Sequence, residues 1–311
     1  VGLLIVASGI VSSGVMFRGF AGYASGLAVF EPWHAYLALA LVIGALARWG
    51  SGQSVFAIAV IALIEAGAVL LVIALGAFQG IETPASMPIF GSTEAMAVVA
   101  GAVLAFYAFI GFEDMVNIAE EVKEPRRTMP RAIVIALAAT ALIYVALSIV
   151  AISSGPIEIL AESSEPMTLI FSRLSDWPSQ WMSYVAILAV LNGALVQILM
   201  ASRVLYGLSR QALIGPWLGQ LNARTQTPVL ATIVGVVLVI VSATLLPLTT
   251  LAQFTSLFLL IVFALVNVAL IRVKAQGAGP EGYFAIPRII PYLGAISAAL
   301  FALASAWQIV S

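Results

Sequence analysis

Nine stretches of this 311-residue chain are apolar enough to cross a bilayer, and that pattern constrains its fold more than any other feature. A spanning helix needs about 20 mostly apolar residues at about 1.5 Å of rise each. The stretches run over residues 1–24, 34–49, 54–78, 95–119, 131–154, 181–207, 228–246, 251–273 and 290–310, the second being short. None alternates apolar and polar side chains as the strands of a membrane barrel must. The expected fold is therefore all-α, a polytopic bundle of transmembrane helices. No long polar linker, low-complexity tract or heptad run divides it, so residues 1–311 read as a single transmembrane domain.

Composition excludes several classes of function. Hydrophobic residues make up 62% of the chain and charged residues 9%, where a soluble domain carries about 25% charged. With 13 Lys+Arg against 14 Asp+Glu there is no basic surface for a nucleic acid. The chain has no cysteine and a single histidine, His34, so disulfides, thiolate chemistry, zinc sites and histidine-based triads are out of reach. No acid-rich or Ser-Lys constellation replaces them at membrane depth, so neither an enzyme nor a bound metal or cofactor is expected. Rings of charge or carbonyl filters that would mark a pore are not evident. Val1 lies inside an apolar run with no basic region before it, which points to a natural start further upstream.

Lys and Arg in short loops stay on the cytoplasmic side of a membrane. Eleven of the 13 basic residues fall in alternate loops: Arg48; Lys123, Arg126, Arg127 and Arg131; Arg203, Arg210 and Arg224; Arg272, Lys274 and Arg288. The opposite loops hold Glu31, Glu82, Glu94, Glu158, Glu162, Glu165 and Asp176, with Arg18 and Arg173 the remaining bases. The loop around Arg126 is thus expected in the cytoplasm and Ser311 outside.

An ionised side chain at the bilayer centre costs about 2.5 to 3.5 kcal/mol on insertion scales, so each one requires a partner, a wet cavity or protonation. Glu65 sits in the middle of Ile61-Ala-Leu-Ile-Glu-Ala-Gly67, and Glu113 and Asp114 follow Phe106-Tyr-Ala-Phe-Ile-Gly-Phe112. Either these acids mark a proton path or they line a wet cytoplasmic vestibule. Glu120, Glu121, Lys123, Arg126 and Arg127 read as an interfacial anchor. Gly111, beside two acids at membrane depth, suits a broken helix, whose halves would expose carbonyls and N–H groups of opposite partial charge.

Phe106-Tyr-Ala-Phe-Ile-Gly-Phe-Glu-Asp114, Ala119-Glu-Glu-Val-Lys-Glu-Pro-Arg-Arg127 and Pro130-Arg-Ala-Ile133 together resemble the sixth helix and following loop of the amino acid-polyamine-organocation transporters. Ser202-Arg-Val-Leu-Tyr-Gly-Leu-Ser-Arg210 with Thr227-Pro-Val-Leu-Ala-Thr232 resembles that family's eighth helix, loop and ninth helix, and Leu265-Val-Asn-Val-Ala-Leu-Ile-Arg272 the end of its tenth. Aligned in this way, the chain covers the family's third to eleventh helices, a five-plus-five inverted-repeat fold lacking its first two. The substrate-gripping break of the first helix has no counterpart here, so the covered part should not transport by itself.

By this resemblance the carbonyls of Phe109 and Ile110, at the break around Gly111, face the substrate amine, with Tyr107 and Ala108 near its side chain. Ser13, Asn192, Gln197, Thr255 and Ser256 come from the third, eighth and tenth helices. Glu113 falls where family members often carry an acid for proton coupling or gating. Glu65 falls where some proton-coupled members carry a lysine, so here an acid would serve with the opposite charge. Gln211-Ala212 and Gly215 depart from the usual Asp-Gly and Pro, which reads as loop variation. The implied function is secondary active transport of an amino acid or related amine, driven by a proton or a counter-substrate, in a cell membrane of the bacterial inner-membrane type. Few acids lie on the helices expected to meet the substrate side chain, which favours a neutral amino acid. The partners are then that small molecule, its coupling species and membrane lipid; oligomeric state is open. A transport-inactive amino acid sensor or partner subunit with the same fold is the alternative.

Overall fold

The computed structural model describes residues 1–48, 55–80, 92–113, 115, 122–222, 227–277 and 286–310. Among the described residues eleven α-helices run in chain order: α1 Gly2–Ser25, α2 Pro32–Arg48, α3 Val55–Phe78, α4 Ser92–Ala108, α5 Pro125–Ser153, α6 Ile157–Glu162, α7 Pro166–Leu174, α8 Gln180–Arg210, α9 Val229–Leu245, α10 Leu248–Ala275 and α11 Ile289–Val310. No strand occurs among the described residues. Among the described residues six helices are long and apolar enough to span a membrane, and Pro32–Leu46, Ala97–Ala108 and Val229–Leu245 are shorter apolar helices. The 17 residues of α9 still rise about 26 Å, close to the thickness of a hydrocarbon core. These nine correspond to the nine apolar stretches.

Local chemistry sets several helix ends. Pro125 and Pro166 open α5 and α7, where the missing N–H would have had no helical acceptor. Arg210 closes α8, and Arg272 and Lys274 close α10, each at the partially negative carboxyl end. The bases that mark orientation therefore also suit the helix ends that carry them. Arg18 is the exception on α1: its Nε donates to the Ala243 carbonyl at 2.8 Å, occupying an otherwise open acceptor near the end of α9.

Helix α1 is the centre of the bundle and packs against α2, α8, α9 and α10. Lipid offers no hydrophobic gain for pairing helices, so close approach through small residues must supply the contact. Ser8, Gly9, Ser12, Ser13 and Gly14 of α1 are all buried. Gly2 faces Leu208, Gly9 faces Ala201 and Gly193 faces Met16, so α1 and α8 run antiparallel. Val6, Ile10 and Phe17 then share a core with Leu39 and Ile43 of α2, Ile198 of α8 and Val239 of α9.

The short helices α6 and α7 had no counterpart among the apolar stretches. They close the acidic end of the bundle. Ile170, Phe171 and Leu174 of α7 bury against Val72, Val150 and Met182, while Gln79 Nε2 donates to the Leu174 carbonyl at 2.8 Å. Ser183 Oγ donates to Glu165 Oε2 at 2.8 Å, tying the start of α7 to α8. At the basic end Lys123, Arg126 and Arg127 are exposed, and Arg127 approaches Glu124 at 4.0 Å. Asp114, Glu120, Glu121, Glu82 and Arg224 lie outside the described residues.

Candidate functional site

The stretch 95–119 does not continue as one helix: α4 stops at Ala108, and the chain turns through Phe109, Ile110 and Gly111. Gly111 adopts φ of 124°, a backbone conformation that an L side chain strains to reach. The carbonyls released by the break can be followed one by one. Phe106 and Tyr107 accept tightened bonds from the N–H groups of Phe109 (3.1 Å) and Ile110 (3.2 Å). Ala108 accepts the Tyr144 hydroxyl of α5 at 2.7 Å. Phe109 and Ile110 have carbonyls that take no hydrogen bond from any described residue. Beyond the turn, the Gly111 N–H donates to Glu113 Oε2 at 2.8 Å, so the acid holds the far side of the break.

This break borders a cavity of about 990 Å³ whose walls come from α1, α4, α5, α8, α10 and α11. Phe109, Ile110, Glu113, Gln197 and Thr255 of the expected site all line it. Ser8, Ser12, Met200, Phe263, Asn267 and Ser297 line it as well and were not singled out as binding residues. Asn267 and Ser12 could have been found from their polarity within apolar helices. Ser8 and Ser297 carry the same signal, whereas Met200 and Phe263 carry none, because Met and Phe are ordinary on any face of a membrane helix.

The remaining expected residues have other partners. Tyr107 is set back from the wall, its hydroxyl 3.3 Å from Ser12 Oγ, which joins α4 to α1. Ser13 is fully buried and donates to the Gly9 carbonyl of its own helix at 2.7 Å. Ser256 donates to the Val103 carbonyl at 3.2 Å and pins α10 to α4. Asn192 meets Glu65 instead of the cavity, with Nδ2 to Oε1 at 3.4 Å, a long bond between α8 and α3. Ala108 and Gly111 shape the break without lining the cavity.

The partial negative charge released by the break lies on one side of the cavity. The carboxyl end of α4, the two open carbonyls and Glu113 together suit an ammonium group. Glu113 is the sole ionisable side chain among the described lining residues.

A family model described as amino acid permease matches residues 2–311. The chain is 28% identical over 247 residues to a protein named cationic amino acid transporter 3, mitochondrial, of Arabidopsis thaliana, covering 76% of this chain and 39% of the relative. It is 28% identical over 180 residues to the branched-chain amino acid permease BcaP of Bacillus subtilis, covering 58% and 39%. It is 32% identical over 184 residues to human cationic amino acid transporter 4, covering 59% and 29%. The chain thus spans about two-fifths of the length of the first curated relatives it matches.

Proposed function

Because this chain belongs to the amino acid permease family, we propose that it forms most of a secondary carrier that moves an amino acid or related amine across a cell membrane by alternating access. The observation that supports this most is the helix break at Phe109–Gly111 on the wall of a large cavity. A continuous helix would keep every carbonyl in its own ladder; a broken one offers two acceptors to a substrate ammonium without burying a fixed charge. Alternating access then consists of rocking the helices on either side of the cavity so that it opens to one face at a time.

The energy source in this reading is a proton or a counter-substrate. Glu113 is the coupling group, because it touches both the cavity and the backbone of the break, and Glu65 is a second candidate through its pair with Asn192. The names of the relatives divide between cationic and branched-chain amino acids, so they support an amino acid substrate without choosing its side chain. The membrane in this reading is a cell membrane of the bacterial inner-membrane type; the relatives come from a bacterium, a plant and a mammal.

Counterflow tests the proposal. Full-length protein is reconstituted into liposomes loaded with unlabelled amino acids, and entry of a labelled amino acid is followed. A carrier concentrates the label transiently inside. Binding of the label without exchange would identify an amino acid sensor and overturn the transport reading.

A further inference from the structure

The cavity's polar appearance in sequence is misleading, because its hydroxyls are already occupied. Ser8 donates to the Ile5 carbonyl at 2.8 Å, Thr255 to Leu251 at 2.9 Å and Ser297 to Gly294 at 3.2 Å. A hydroxyl bonded back to its own helix has no free proton to give, though its oxygen can still accept a hydrogen bond. Asn267 likewise gives its Nδ2 to the Phe263 carbonyl at 2.9 Å, leaving its Oδ1 as an acceptor. Away from the break the lining is therefore mostly apolar, with the uncharged Gln197 amide its main polar group.

Three aromatic rings give that apolar wall a shape. Phe263 of α10 packs against Phe106, before the break, with ring centroids 6.0 Å apart at 82°. It also packs against Phe112, after the break, at 5.6 Å and 49°. In the first pair a ring edge meets a ring face, so that face is not open to a cation.

We propose that Phe263, with Phe106 and Phe112, forms the pocket for the substrate's side chain, and that this side chain is bulky, apolar and uncharged. The inference rests on the carrier reading, with the substrate ammonium at the break, and narrows it to one class of amino acid. A lysine-like or arginine-like substrate would bring a second cation into a wall whose single described acid, Glu113, lies at the break beside the substrate ammonium. An unpaired buried charge costs such a substrate at least about a hundredfold in affinity. Phe263 is the specificity-determining residue because it alone contacts the rings on both sides of the break.

The test compares labelled phenylalanine, leucine, alanine, lysine and arginine in the counterflow assay with full-length protein. Phenylalanine and leucine are expected to exchange at least tenfold faster than lysine or arginine. Phe263→Ala is expected to lower the ratio of phenylalanine to alanine exchange at least fivefold, and Phe263→Leu to recover part of it. Lysine or arginine exchanging as fast as leucine would overturn the proposal. So would an unchanged phenylalanine-to-alanine ratio in a Phe263→Ala protein that stays monodisperse in detergent. If no amino acid exchanges, the carrier reading fails by itself and thermal stabilisation decides the pocket: a raised Tm with phenylalanine or leucine and none with lysine supports it, and any other pattern overturns it.

Discussion

At the scale of single residues, the site depends on how each polar atom is committed. Ser13, Ser256 and Asn192 were sensible candidates by type, yet their side chains bond to Gly9, Val103 and Glu65. Residue type does not carry that information, because a serine or threonine in a helix can always bond back to its own carbonyls. The break was legible because it depends on a glycine: Gly111 holds φ of 124°, which few other residues accept. Glu113 leads to a sharper prediction. A glutamine there keeps an oxygen that can accept the Gly111 N–H, now 2.8 Å from Oε2, so the break should survive while the titrating group is lost. Glu113→Gln should therefore flatten the pH dependence of uptake to within about twofold between pH 5 and 8, a range in which a carboxyl tuned for proton transfer changes charge. Glu65→Gln likewise preserves an acceptor for Asn192. Whichever variant leaves the reconstituted protein's pH profile unchanged removes that acid from the coupling role.

At the scale of elements, the nine apolar helices could be read directly, since about 20 apolar residues in a row have few other uses. Their facing could not. Lipid is as apolar as a neighbouring helix, so hydrophobic periodicity does not separate the cavity side from the lipid side. Helices α6 and α7 were illegible for a different reason. They are six and nine residues long and carry charge, and only their docking gives them a role. That docking rests on two glycines at the end of α1. A Cβ on Gly22 would lie 2.6 Å from the Ser164 backbone oxygen, whereas one on Gly26 would meet the Glu165 carboxylate at 1.9 Å. A carboxylate can swing away at the expense of its bond to Ser183; a backbone oxygen cannot move without the loop. Gly22→Ala should accordingly destabilise by about 1 to 3 kcal/mol, as overpacking does, and more than Gly26→Ala. Thermal unfolding in detergent checks the order, and a lower Tm for Gly26→Ala would contradict this account of the docking.

At the scale of the whole molecule, charge and packing divide the bundle in the same way. The antiparallel pairing of α1 with α8 brings Gly2 beside Leu208, at the end where α8 carries Arg203 and Arg210. The other end gathers Glu158, Glu162, Glu165 and Asp176 around α6 and α7, with Glu165 fixed by Ser183 and α7 tied to α3 through Gln79. The cavity meets α1 through Ile5 to Ser12, the half of that helix nearer the basic end. If the basic end is cytoplasmic, as expected from the distribution of Lys and Arg, the cavity in this conformation lies toward the cytoplasm and the α6–α7 cap lies outside. Residues 1–311 contain no cysteine, so within them a single introduced cysteine reports on each end. Asp176→Cys, beside the cap, should react with a membrane-impermeant maleimide in intact cells. Arg126→Cys, exposed at the start of α5, should react only after the membrane is opened. The reverse pattern would invert the molecule, assign the cavity to the outer face, make the cap a cytoplasmic structure, and overturn the orientation drawn from the Lys and Arg distribution.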